Sequence, residues 1–242
     1  MKSLTDEEFI KTLIDECKKQ NIELDENKAK ALKEYKDLLV EWNEKMNLTA
    51  LTEPHDVALK HFADSLMLFR YCDIENGASV IDVGTGAGFP GMVLKIARPD
   101  IRLTLLDSLN KRLIFLEAVC DALGLDDVEL IHSRAEDGSR TELRDRFDIA
   151  VSRAVASLNT LCEYDMPYVK VGGRFIAMKG KGSEEELQAA QNAITTLGGE
   201  LLQKHDFVLG DAGERSIIEI KKITETPSQY PRKSKQIKNK PL

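Results

Sequence analysis

The spacing of apolar side chains divides the chain into two regimes. In the first seventy or so residues they recur three or four apart, as Phe9, Leu13, Ile14 and Cys17, then Leu32, Tyr35, Leu39, Trp42 and Met46. That period predicts amphipathic helices. Thr5-Asp6-Glu7-Glu8 has the form of a capping box, and Asp25 suits the cap of a second helix. Asn47-Leu48-Thr49 breaks the stripe, and Pro54 suits the first turn of a third helix running through His61 and Asp64 towards Tyr71. From Ser79 the pattern changes to short apolar runs alternating with helical stretches, which predicts a parallel sheet with crossover helices. Strands are expected near 79–83, 102–107, 128–132, 147–152 and 173–178, and helices near 90–97, 110–123, 157–168 and 184–197. The end differs. Asp206-Phe207-Val208-Leu209 and Ser216-Ile217-Ile218-Glu219-Ile220 are joined by Gly210-Asp211-Ala212-Gly213, too short for a helical crossover, so these strands should pair antiparallel. The expected architecture is α/β, Rossmann-like, with a mostly parallel sheet ending in an antiparallel hairpin. Its expected parts are an N-terminal helical extension over 1–72 packed on the core, a cofactor-binding domain over 73–226, and a tail over 227–242.

Composition changes this picture in one place. At 242 residues, 42% hydrophobic and 31% charged, the chain can bury a substantial core and is ordinary for a soluble domain. No apolar run approaches the roughly 18 residues of a membrane span, and the first residues lack a signal-peptide core. Cys17, Cys72, Cys120 and Cys162 form no C-x-x-C pair, so free thiols in the cytoplasm and no metal site are expected. The net charge of −7 is uneven: residues 221–242 carry seven Lys or Arg against one acid, leaving −13 on the remainder. A basic tail on an acidic body fits phosphate contacts and fits a solvated appendage equally well.

The stretch with the most chemistry in it is Val80-Ile81-Asp82-Val83-Gly84-Thr85-Gly86-Ala87-Gly88-Phe89-Pro90-Gly91. A strand feeding glycines on alternate positions lets backbone approach a ligand at the carboxyl end of a parallel sheet. An acid two residues before the first glycine suits an ammonium and a sulfonium better than a pyrophosphate, which favours S-adenosylmethionine. Gly86, Gly88 and Gly91 also satisfy the dinucleotide pattern, and a turn without a ligand is the plain alternative. Against the dinucleotide stand the charge of Asp82 and the N–H that Pro90 lacks. Asp107 ends the second strand and suits the two hydroxyls of an adenosine ribose; its alternative is a helix N-cap. Ala135 and Glu136 come after the third strand, where an adenine would lie, although Glu136 alone reads as a surface acid. Arg153 leaves the fourth strand and suits orientation of a base or of a methionine carboxylate; a strand-end salt bridge is the alternative.

The exit from the fourth strand narrows the reaction. Ser152-Arg153-Ala154-Val155 lacks the acid or Asn, two prolines and aromatic that amine methyltransferases place there. The nearest cysteine, Cys162, lies on the next helix, which disfavours a covalent pyrimidine mechanism. A target such as guanine N7, with a lone pair and no proton, needs alignment only.

Taken in order, several segments carry a resemblance. They are Trp42-Asn43 with Asn47-Leu48-Thr49, Lys60-His61-Phe62-Ala63-Asp64-Ser65-Leu66, the Asp82–Gly91 loop, Asp107-Ser108-Leu109-Asn110-Lys111-Arg112, Arg134-Ala135-Glu136, Arg153-Ala154-Val155 and Tyr230-Pro231-Arg232. Over essentially its whole length the chain resembles the RsmG (GidB) family of bacterial small-subunit ribosomal RNA methyltransferases. The resemblance implies a class I methyltransferase fold and N7 methylation of a guanine in 16S ribosomal RNA, as naked RNA or in the 30S particle. It also implies cofactor contacts at Gly84, Phe89, Ala135, Glu136 and Arg153. Asp82, Gly86, Gly88 and Asp107 join them from the residue reading. Lys179, Arg232, Lys233 and Lys235 are the candidate RNA contacts, and removal of the tail is expected to leave the cofactor pocket untouched.

Overall fold

The computed structural model describes residues 4–153 and 156–242. Helix α1 spans Asp6–Lys19 behind a complete Thr5/Glu8 capping box, and α2 spans Glu26–Met46 with Asp25 accepting from the Lys28 N–H. The third predicted helix is present but not uniform. A turn of α-helix (α3, Pro54–Asp56) passes into a π-helical segment over Val57–Ala63 and back into α4, Asp64–Tyr71. The π segment, a form that occurs often at functional sites, contains the Lys60-His61-Phe62 run.

The remaining elements alternate as the period change predicted: β1 Ser79–Val83, α5 Gly91–Ala97, β2 Arg102–Asp107, α6 Asn110–Leu123, β3 Val128–His132, α7 Ala135–Gly138, β4 Phe147–Arg153, α8 Leu158–Asp165, β5 Val169–Lys179, α9 Ser183–Thr196, β6 Gly199–Val208 and β7 Glu214–Lys222. A last helix, α10, spans Ser234–Asn239. The seven strands are ordered β3-β2-β1-β4-β5-β7-β6; β7 lies antiparallel to both neighbours and the other pairs are parallel. The strand carboxyl ends, where Val83, Asp107, His132 and Arg153 stand, therefore share one edge of the sheet.

Three boundaries differ from the sequence reading, two of them for a reason of burial. β6 begins at Gly199 rather than near Asp206, because this edge strand exposes Glu200 through Gln203 and so shows no apolar alternation. β5 begins at Val169 rather than near 173, since its first turn-like residues Lys170, Val171 and Gly172 are exposed. α8 stops at Asp165 and continues as a single 3-10 turn to Tyr168.

The helical extension packs through one face on the glycine loop and on α5 and α6, which cover the sheet. Phe9, Leu13, Tyr35, Leu39 and Phe62 are buried in the same cluster as Phe89, Met92, Phe115 and Leu116. The Tyr35 ring lies 5.6 Å from both Phe62 and Phe89, and its hydroxyl donates to the Ala87 carbonyl. Trp42 is tilted on Phe115 at 5.8 Å, a packing residue as its place in the stripe suggested. The extension is thus the wall against which the glycine loop rests.

Candidate active site

A cavity of about 730 Å³ opens at the carboxyl edge of β1, β2 and β4, a size usual for small-molecule sites. Its wall includes Gly84, Thr85, Gly86, Ala87 and Phe89 from the loop after β1, with Asp107, Ala135, Glu136 and Arg153 from the next three strand ends. Of the residues that the sequence nominates for the cofactor, the fold thus gathers Gly84, Gly86, Phe89, Asp107, Ala135, Glu136 and Arg153 around one opening. Ala154 and Val155, next along the chain from Arg153, lie outside the described residues.

Two expected ligand contacts take another role. Asp82 is fully buried and absent from the wall. One of its oxygens accepts from the Gly91 N–H and the Thr85 hydroxyl, both at 2.8 Å, while the other finds no partner among the described residues. Burial pushes its carboxyl up to about 6. Asp82 is thus a bracket for the loop from behind, and it occupies the N–H at the start of α5 that a pyrophosphate would need. Gly88 also faces inward: at φ +97° its missing Cβ would collide with Leu116 and the Tyr35 hydroxyl. It is a close-packing glycine, whereas Gly86, at φ +63° with open space where its Cβ would stand, borders the cavity.

Asp107 ties the loops of β1 and β2 together. It accepts from the N–H groups of Gly86 and Leu109 at 2.9 Å each and pairs with Arg112 at 3.1 Å. Leu109 is the residue before α6, so this is an Asx-type turn and not the N-cap bond that was the alternative. A ribose diol would share or replace the Arg112 contact. Asp107→Ala is expected to lower affinity for an adenosyl cofactor by about 1.5–3 kcal/mol, the range for hydrogen bonds to a charged group. Because two backbone donors also lose their partner, the unfolding midpoint should fall in the same variant. Calorimetric titration with S-adenosylhomocysteine checks the first effect, and unchanged affinity would remove the ribose role.

Arg153 is set by His61 and Asp64, which the sequence reading placed on the third helix and in a resemblance segment without giving them a role at the site. Its guanidinium donates to Asp64 at 2.8 Å and to His61 Nδ1 at 3.1 Å, and lies 5.1 Å from the Phe89 ring centre. His61 stacks flat on Phe89 at 4.2 Å and bonds Thr49 Oγ1 through Nε2 at 2.9 Å. Burial, with the Arg153 charge next, pushes the imidazole down to about 3, so it is neutral. Arginine only donates, so Nδ1 accepts and Nε2 carries the proton to Thr49. The strand-end salt bridge foreseen for Arg153 exists, and it holds the side chain at the cavity rather than away from it. No periodicity reports on His61: it stands between Lys60 and Phe62 in a stretch of mixed polar and apolar residues, and the π turn aims it.

The tail is not a free appendage. Arg232 forms a two-pronged ion pair with the fully buried Glu163, its Nη2 at 2.6 Å and Nε at 2.9 Å, while its backbone N–H donates to the same carboxylate. Arg144 holds the carbonyls of Thr226 and Tyr230, and Ile237 of α10 is fully buried. Ser234, Lys238 and Pro241 reach the cavity wall, so the expectation that tail and cofactor pocket are independent is corrected: the tail folds over the same opening. Lys179 is likewise engaged, by Glu186 at 2.7 Å and the Ala156 carbonyl at 2.8 Å. A phosphate would compete with these partners at Lys179 and Arg232, whereas Lys233 and Lys235 are not enclosed.

Comparison with known proteins agrees with this geometry. The sequence model of the family rRNA small subunit methyltransferase G (GidB) matches residues 28–218. Ribosomal RNA small subunit methyltransferase G of Alkaliphilus metalliredigens is 49% identical over 232 residues, covering 95% of this chain and 97% of its own. The protein of the same name from Alkaliphilus oremlandii is 51% identical, covering 92% and 94%. Among solved structures, M. jannaschii TYW2 in complex with AdoMet superposes with a TM-score of 0.51 at 15% identity, over 63% of this chain and 72% of that one. At that identity the likeness shows the shared fold.

Proposed function

The chain belongs to the rRNA small subunit methyltransferase G family, and on that premise we propose that it transfers the methyl group of S-adenosylmethionine to N7 of a guanine in 16S ribosomal RNA, in the cytoplasm. The observation that carries the finer reading is the cavity. Its wall joins an inward-bracketed glycine loop, the Asp107 acid and the Ala135-Glu136 turn to the guanidinium of Arg153, with no cysteine on it among the described residues. Cys162 is fully buried on α8, and burial pushes its thiol far above the usual range, away from thiolate chemistry.

The residues fit an adenosyl sulfonium ligand. Gly86 offers backbone where a side chain would fill the space, Asp107 suits hydroxyls, and acids in the wall suit a cationic ligand better than a pyrophosphate. Such a cofactor supplies an electrophilic methyl carbon and a neutral thioether leaving group. The chain's own contribution is placement. Guanine N7 has an in-plane lone pair and no proton to lose, so no general base is required, and the rate gain comes from holding the ring in line and excluding water. Arg153, fixed by Asp64, His61 and Phe89, is the candidate for that orientation. Lys233, Lys235 and the neighbouring basic residues of the tail are candidates for the RNA backbone, which matters more for affinity than for base choice.

Mapping N7-methylguanosine in 16S ribosomal RNA from cells with and without the protein tests the reading. One modified guanine should disappear with the protein and return when it is restored. An unchanged map overturns the target, and a protein that fails to bind S-adenosylhomocysteine overturns the cofactor.

A further inference from the structure

One polar group on the cavity wall has no role in binding ribose or orienting guanine. Asp165, the last residue of α8, is fully buried, yet neither carboxyl oxygen finds a hydrogen-bond partner among the described residues. Buried polar atoms are nearly always paired, so an orphaned pair of oxygens at a ligand cavity points to a partner that arrives with the ligand. We infer that Asp165 selects the base of the nucleoside cofactor, by pairing its carboxyl with the amino edge of adenine. The inference rests on the adenosyl cofactor of the proposed function.

The surroundings decide which chemistry Asp165 can meet. It shares the wall with Leu161 and Tyr164 of α8, while Val83, Leu106 and Ala135 supply apolar surface from the sheet side. The Tyr168 hydroxyl donates to the Ala135 carbonyl at 2.7 Å, which ties the end of α8 to the turn after β3. Apolar surface beside the Asp165 carboxyl suits a flat heteroaromatic ring bearing hydrogen-bonding groups on one edge, and the other acids of the wall, Asp107 and Glu136, disfavour an anion. Burial, with the charge of Asp82 next, pushes the Asp165 carboxyl well above the usual range, so the group is a neutral acid. A neutral carboxyl presents one O–H donor beside one C=O acceptor. Adenine presents the complement, an acceptor at N1 beside a donor at the six-amino group, so two bonds form in one plane. Ribose hydroxyls already have Asp107, and the Glu163 carboxylate of the same helix is consumed by Arg232.

Three proteins and two ligands test this by calorimetry: wild type, Asp165→Asn and Asp165→Leu, each with S-adenosylhomocysteine and with its analogue bearing purine in place of adenine. Asn keeps a donor and an acceptor in the same places, and Leu keeps the shape without either. In wild type, loss of the amino group should weaken binding roughly three- to tenfold, the effect of one neutral hydrogen bond. Asp165→Leu should bind S-adenosylhomocysteine roughly tenfold more weakly and no longer distinguish the two ligands, while Asp165→Asn stays within about threefold of wild type. Without ligand, Asp165→Leu should melt at or above the wild-type temperature, because it removes an unpartnered buried polar group. A lower melting temperature would instead show a structural role and overturn the inference. Equal affinity of wild type for both ligands overturns it without any variant, so a misfolded Asp165→Leu protein leaves it falsifiable. Wild type binding neither ligand sinks the cofactor reading itself; wild type and Asp165→Leu binding both ligands alike sinks only the role of Asp165.

Discussion

Gly86→Val is expected to yield a folded protein with no measurable affinity for S-adenosylhomocysteine. The structure separates this position from its neighbours. Around Gly86 the nearest heavy atom to an added Cβ is the Gly84 carbonyl at 4.0 Å, so the protein itself offers no collision. The cost to folding is the left-handed backbone at φ +63°, about 1–2 kcal/mol for a residue with a side chain. The cost to binding is much larger, since two methyl groups would stand in the space that the cavity leaves for a ligand against the loop. Gly88→Val makes the contrast: its side chain would strike Leu116 and Tyr35, so it should destabilise the fold before it affects any ligand. Thermal unfolding and titration of the two variants side by side check this. Normal affinity in folded Gly86→Val would show that the loop does not line the cofactor site.

Truncation after Tyr230 has the second large expected effect. It removes Arg232 and leaves the fully buried Glu163 carboxylate without its cation. Stranding a buried charge costs about 3–5 kcal/mol. Loss of the fully buried Ile237 adds about 1.5–3 kcal/mol. The unfolding midpoint should therefore fall sharply, and Glu163→Leu introduced into the truncated chain should recover much of the first part by removing the stranded charge. Because Ser234, Lys238 and Pro241 border the cavity, S-adenosylhomocysteine affinity should weaken as well. RNA binding should lose about 0.7–0.9 log units of salt slope for each tail cation that touches a phosphate, with a higher apparent KM. A truncated protein with the wild-type unfolding midpoint would contradict the packing of the tail. An unchanged KM and salt slope would place the RNA on another surface.

These two predictions draw on different kinds of information, one local to a loop and one spread across the chain. The alternation after Ser79 and the helical period before it are local, because apolar residues must face a core on one side of each element. Element types and the antiparallel end were therefore readable, as was the glycine loop with Asp82 before it and Asp107 twenty-three residues after Gly84. The edge strand over Gly199–Val208 was only half seen, since a strand open to solvent carries no alternation to read.

What the sequence could not contain is which of the candidate groups face the ligand and which face each other. Asp82 and Asp107 look alike as acids at strand ends and lie on the same face of the sheet, yet their partners make one a buried bracket and the other part of the wall. Arg232 reads as one more basic tail residue until the fold sets it against Glu163, sixty-nine positions earlier. His61, Asp64 and Arg153 meet only because a π turn in the helical extension comes to rest beside the fourth strand. The sequence by itself determined the elements, their order and the motif that faces the sheet's carboxyl edge, because those depend on period and local backbone chemistry. Only the tertiary structure decided the pairing of charges, the seating of the tail and the orphaned carboxyl of Asp165, because each depends on distances between residues far apart along the chain.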